Sequence, residues 1–68
     1  MKESIDAAES LKMAMKIEME AHDFFANYAE SFDDTKGRDI FLEFADEEKE
    51  HYDIIKKEYD RMVKSGEL

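Results

Sequence analysis

Glu18, Glu48 and His51 are the residues whose types could hold a metal ion and whose positions a solvated surface does not explain. Glu48 and His51 stand three apart, which on a helix puts both side chains on one face about a turn from each other. That spacing alone says little in a chain with 11 glutamates among 68 residues. Their neighbours say more. Along its stripe Glu18 is flanked by Ala14, Ala21 and Phe25, and Glu48 by Phe44, Ala45, Tyr52 and Ile55. A carboxylate buried without a partner is strongly unfavourable even after relaxation, so acids at such positions require a compensating charge.

The elements that must position these residues are two helices. The chain has no proline, and its two glycines, Gly37 and Gly66, fall where a helix would be interrupted. Ser4 is the expected N-cap of a first helix over about 5–31, with Asp6 and Glu9 near its positive end. Residues of about 32–36 form the connection, and Asp34 or Thr35 caps a second helix over about 37–64 that ends on Arg61 and Lys64. Leu11, Ala14, Glu18, Ala21, Phe25, Tyr28 and Phe32 recur at spacings of three and four. So do Phe41, Phe44, Glu48, His51, Ile55 and Met62, with Ala45, Tyr52 and Tyr59 beside them. Nothing alternates with the period of a strand. The class is all-α: one domain over 1–68, an antiparallel helical hairpin with two bundle-type seams.

Two helices cannot enclose a core, so two hairpins are expected to pair into a four-helix bundle. Thr35 stands 17 residues after Glu18 and 16 before His51, so the hairpin brings all three candidates to one level. A two-fold dimer then gathers four carboxylates and two imidazoles at mid-bundle. Without cations these acids would repel or protonate, and two metal ions would neutralise them. Oxygen-rich ligation with one imidazole per ion suits iron or manganese better than structural zinc.

Composition narrows the rest. A chain this short rarely buries enough apolar surface to stand alone, and with no cysteine it has no disulfide. With 43% charged residues and a net charge of −9, nucleic acids and anionic membranes are not expected partners. No apolar run reaches membrane-spanning length, so a soluble, cytoplasmic protein is expected.

The stretch Ala14-Met-Lys-Ile-Glu18-Met-Glu-Ala21-His-Asp-Phe24-Phe25, followed by Ala45-Asp-Glu-Glu48-Lys-Glu-His51, resembles the ferritin-like domain of rubrerythrins. It is similarly close to the encapsulated ferritins, whose members carry two main helices per chain. The likeness covers roughly residues 8–62. It implies a ferritin-like four-helix bundle with a di-iron site, two irons per dimer. By position Glu18 corresponds to the first-helix ligand, and Glu48 and His51 to the second-helix pair. The family's usage makes Glu48 the bridge between the irons and Glu18 and His51 terminal ligands. Two departures stand out. Phe24-Phe25 occupies the place of an aromatic pair whose second member is commonly tyrosine. No segment resembling an encapsulin-targeting peptide follows Gly66, so a shell is a weaker expectation than self-association.

The leading functional expectation is a ferroxidase in which Glu18, Glu48 and His51 are both metal ligands and catalytic residues. A rubrerythrin-like peroxide reductase with an external electron donor is the second. A non-catalytic, metal-stabilised interaction module is the third. A metal-free buried network is disfavoured because acceptors outnumber donors. His22 is expected at the rim, Glu20 and Glu47 as surface acids and not ligands on an iron path, and Tyr28 and Tyr52 in the core or at its boundary. Polar residues fill only about a third of the first helix's circumference, reckoned at 100° per residue. Met13, Ile17 and Phe24 on one side, and Met15 and Met19 on the other, leave an apolar arc broad enough for a ring-like oligomer beyond the dimer.

Overall fold

The computed structural model describes residues 6–68. Its elements are α1 (Ala7–Ala29) and α2 (Thr35–Lys64). Contacts run in opposite order along the two: Lys12 lies over the Tyr59 ring, Glu18 meets His51, Phe25 meets Phe44 and Phe32 meets Phe41. The expected all-α antiparallel hairpin is therefore the fold observed, with no strand among the described residues.

Each helix boundary has a local cause. Asp6, in extended conformation, accepts a 2.8 Å hydrogen bond from the Glu9 N–H and starts α1. The expected cap, Ser4, lies outside the described residues. α1 stops two residues short of Ser31, where the N–H groups of Ser31 and Phe32 bond the carbonyls of Tyr28 and Ala29. Asp34 is extended and α2 begins at Thr35, so Gly37 lies inside the first turn and not before it. The reason is steric. A Cβ on Gly37 would come 2.5 Å from Phe32 Cδ1, so glycine lets the Phe32 ring lie on that turn. Arg38 closes the connection by donating to the Phe32 carbonyl at 3.1 Å. At the far end Gly66 takes φ 81°, Glu67 N–H bonds Met62 O at 2.9 Å and Gly66 N–H bonds Val63 O at 3.2 Å. This is a Schellman stop, open to glycine because it has no Cβ to clash at positive φ.

The seam between the helices differs in phase from the expected one. On α2 the residues turned to α1 are Phe41, Ala45, Glu48, Tyr52, Ile55, Tyr59 and Met62, while Phe44 and His51 sit to one side and are exposed. On α1 Ala29 is 1% exposed where Tyr28, at 54%, was expected inside. The small alanines let the backbones approach, and the larger neighbours rotate out to one face. Phe24, Phe25, Phe32, Phe41 and Phe44 form a chain of ring contacts at the turn end, with centroids 4.7–6.4 Å apart. The hairpin measures 48 × 29 × 12 Å, one helix diameter thick. Ala29 and Ala45 are the fully buried hydrophobic residues among those described.

Candidate metal centre

Glu18 reaches the site from the middle of α1, and Glu48 and His51 from consecutive turns of α2. One ligand atom from each lies within 4.8 Å of the other two. Donors sharing one ion at about 2.1 Å can stand up to about 4.2 Å apart, so side-chain torsions alone could close the three on a cation. Both carboxylates are half-buried, each side chain 21% exposed, and the imidazole is 56% exposed. His51 Nδ1 stands 2.9 Å from Glu48 Oε1 and 3.5 Å from Glu18 Oε2. The hydrogen bond to Glu48 is the largest influence holding the imidazole above its ordinary 6.5, partial desolvation opposes it, and the Glu18 charge adds to it.

The level argument from the sequence is met, since Glu18 and His51 touch across the hairpin. His51's expected place on the seam is corrected. It points instead into a shallow depression on the open face, lined by Phe25, Phe44, Glu47, Glu48 and His51. Glu47 is exposed, as expected of a surface acid, and lines the rim of this depression. Its proximity was readable in principle, because Glu47 and His51 are four apart and share a face. Glu20 is exposed and lines no part of this depression. His22 is 32% exposed at its side chain and pairs with Asp23 at 3.0 Å, a rim residue as expected. Tyr52 is half-buried; Tyr28 is exposed and its ring lies tilted against Phe24, centroids 4.9 Å apart.

The donor set fits iron: oxygen-rich, with an imidazole, and with no thiolate anywhere in the chain. Comparison with protein families gives a match to rubrerythrin over residues 9–68. The chain belongs to the rubrerythrin family. Proteins of this family typically bind iron, and the group formed by Glu18, Glu48 and His51 is the candidate place for it in this member. No curated protein and no solved structure gives a match. Among the described residues no helix is long and apolar enough to cross a membrane.

Proposed function

We propose that this rubrerythrin-family chain is a ferroxidase whose di-iron site is completed when two hairpins pair. The observation that carries the reading is the convergence of Glu18, Glu48 and His51 at one level of the hairpin, opening on its exposed apolar face. Two carboxylates and one imidazole are too few to hold a pair of ions. A second copy doubles them.

Fe(II) bound there as substrate would supply the redox chemistry: two ions, losing one electron each, would with two protons from solvent reduce dioxygen to hydrogen peroxide, or peroxide to two waters, and leave as Fe(III). The protein's own contribution is electrostatic and positional. Glu18 and Glu48 neutralise cation charge and set where the ions sit, and Glu48, shared by position, would fix their separation. His51 would ligate as the neutral imidazole, and the neighbouring carboxylates keep the ring oriented. Phe25 and Phe44 flank the depression and limit water on that side.

Iron stoichiometry and the initial rate of Fe(II) oxidation test the proposal. Glu48→Ala should lose paired iron and most of the rate, while Glu20→Ala should change little. A Glu48→Ala protein that binds two irons per dimer and oxidises them at the parent rate defeats the reading. Reduction of peroxide, with an external donor returning the electrons, is the second reading that family membership leaves open. Parallel rates with the two oxidants distinguish these forms of the chemistry.

A further inference from the structure

One hairpin carries half a site. Glu18, Glu48 and His51 converge on one position, so a single bound iron is a stage passed through on the way to two. Reduction of hydrogen peroxide to water takes two electrons, and one Fe(II) gives one. The other must come from an oxidisable side chain nearby, or the peroxide yields a hydroxyl radical that attacks whatever it meets. That this shortage arises at Glu18, Glu48 and His51 rests on the ferroxidase reading above.

The chain offers few donors. It has no cysteine and no tryptophan. Phe25 and Phe44, which line the depression, give up electrons poorly. Met19 follows Glu18, but a thioether reacts by taking up oxygen, a two-electron change that does not fill a one-electron shortage. Of the tyrosines, Tyr28 stands ten residues beyond Glu18, about 15 Å along α1, and is exposed against Phe24. Tyr59 stands eight residues beyond His51, about 12 Å along α2. The Lys12 ammonium lies 5.9 Å from its ring centroid, and a positive charge there makes removal of an electron harder. Tyr52 follows His51 directly. It is half-buried on the seam and one turn past Glu48, a spacing that sets Cβ atoms about 5–6 Å apart.

The Tyr52 phenol also has an exit for its proton. Glu48, Tyr52, Lys56 and Asp60 follow at steps of four, a single row along α2. Lys56 donates to Asp60 at 2.9 Å, both exposed, and its pKa is raised first by Asp60 and further by the neighbouring Tyr52. The ring therefore runs from beside Glu48 toward an ion pair open to water. We infer that Tyr52 supplies the second electron when peroxide meets a site holding one iron. One Fe(II) and the phenol each give an electron, the O–O bond breaks, and the phenolic proton with one from solvent completes two waters. Fe(III) and a neutral tyrosyl radical remain.

The test uses the full chain loaded anaerobically with Fe(II) to one ion per dimer, mixed with hydrogen peroxide and frozen at once. Electron paramagnetic resonance should show a tyrosyl radical, narrowed when the tyrosine rings are deuterated. Tyr52→Phe, which keeps the ring and its packing, should lose the signal, with circular dichroism and bound iron unchanged. Tyr28→Phe and Tyr59→Phe should keep it. Loading to two ions per dimer should suppress it in the parent, because the second Fe(II) then supplies the electron. Peptide mass mapping gives a second readout: added oxygen should spread to Met19, Phe25 or His51 in Tyr52→Phe and stay low in the parent. A signal that survives Tyr52→Phe overturns the assignment. So does iron oxidised at half loading with no radical, and so does an oxidation map that Tyr52→Phe leaves unchanged. Initial rates at full loading are read separately. Iron not oxidised there sinks the ferroxidase reading, whereas normal oxidation there with no Tyr52 radical at half loading sinks the Tyr52 role alone.

Discussion

His51 is the residue on which binding and folding meet. Its Nδ1 is shared between Glu48 and Glu18, and that raises its pKa above 6.5. A group whose folded pKa is raised stabilises the fold fully below its unfolded pKa and loses that contribution as pH rises through the folded value. The metal-free protein should therefore melt at slightly lower temperature as pH climbs from 6.5 through the raised value, and His51→Gln should flatten that slope. The effect is small, because the ring is more than half exposed and solvent screens it. Metal binding runs the other way. An ion on the ring would compete with the proton of the imidazolium, so affinity for Fe(II) or Mn(II) should fall as pH drops through the same window. Calorimetric titrations in buffers of different ionisation enthalpy should register a released proton in the parent, and less of it in His51→Gln.

At the scale of the element, the connection is the most constrained part of the hairpin. Gly37→Ala would ordinarily favour a helix by about 0.5–1 kcal/mol. Here the new methyl would meet the Phe32 ring, which is held 4.7 Å from Phe41. Overpacking of this kind costs about 1–3 kcal/mol, so the net expectation is a loss of about 1 kcal/mol. Denaturant midpoints at fixed protein concentration decide the sign, and an alanine that stabilises would mean the ring moves freely. Asp6→Ala should cost about 1 kcal/mol by freeing the Glu9 N–H at the start of α1. Along α2, Lys49–Asp53, Lys56–Asp60 and Glu58–Arg61 are exposed pairs at 2.8–3.1 Å. They support the helix where the hydrophobic seam cannot, each by a few tenths of a kcal/mol at most.

Residues 6–68 form a slab with two faces, and its buried core among the described residues is Ala29 and Ala45. A globular chain of this length would have a radius of gyration near 11 Å; the hairpin's is 15.7 Å. Large apolar side chains exposed on such a slab leave little to hold one copy folded, so association and stability should be one equilibrium. The melting temperature should rise with protein concentration, and light scattering should report a multiple of 8.0 kDa wherever the chain is helical. A helical monomer at micromolar concentration would contradict this. Saturating Fe(II) or Mn(II) should raise stability further, by about 2.7 kcal/mol at a hundredfold excess over the dissociation constant. A chelator should reverse it.

Two helices of opposite direction and the common level of Glu18, Glu48 and His51 were legible in the residues themselves. Helical periodicity and equal arm lengths about the turn are properties of sequence order, and they do not depend on how the helices roll. The roll is what only the tertiary structure decided. Ala29 and Ala45 draw the helices together by being small, and that rotation carries Tyr28, Phe44 and His51 out of the seam and onto the open face. Gly37 reads in sequence as a break because glycine disfavours helices, yet it lies inside one because the Phe32 ring needs the space. Glu47 is the surface acid its sequence implied, and only the depression beside His51 set it at that rim. Each difference turns on side-chain volume at a contact between residues far apart in the chain, which a periodic pattern does not encode.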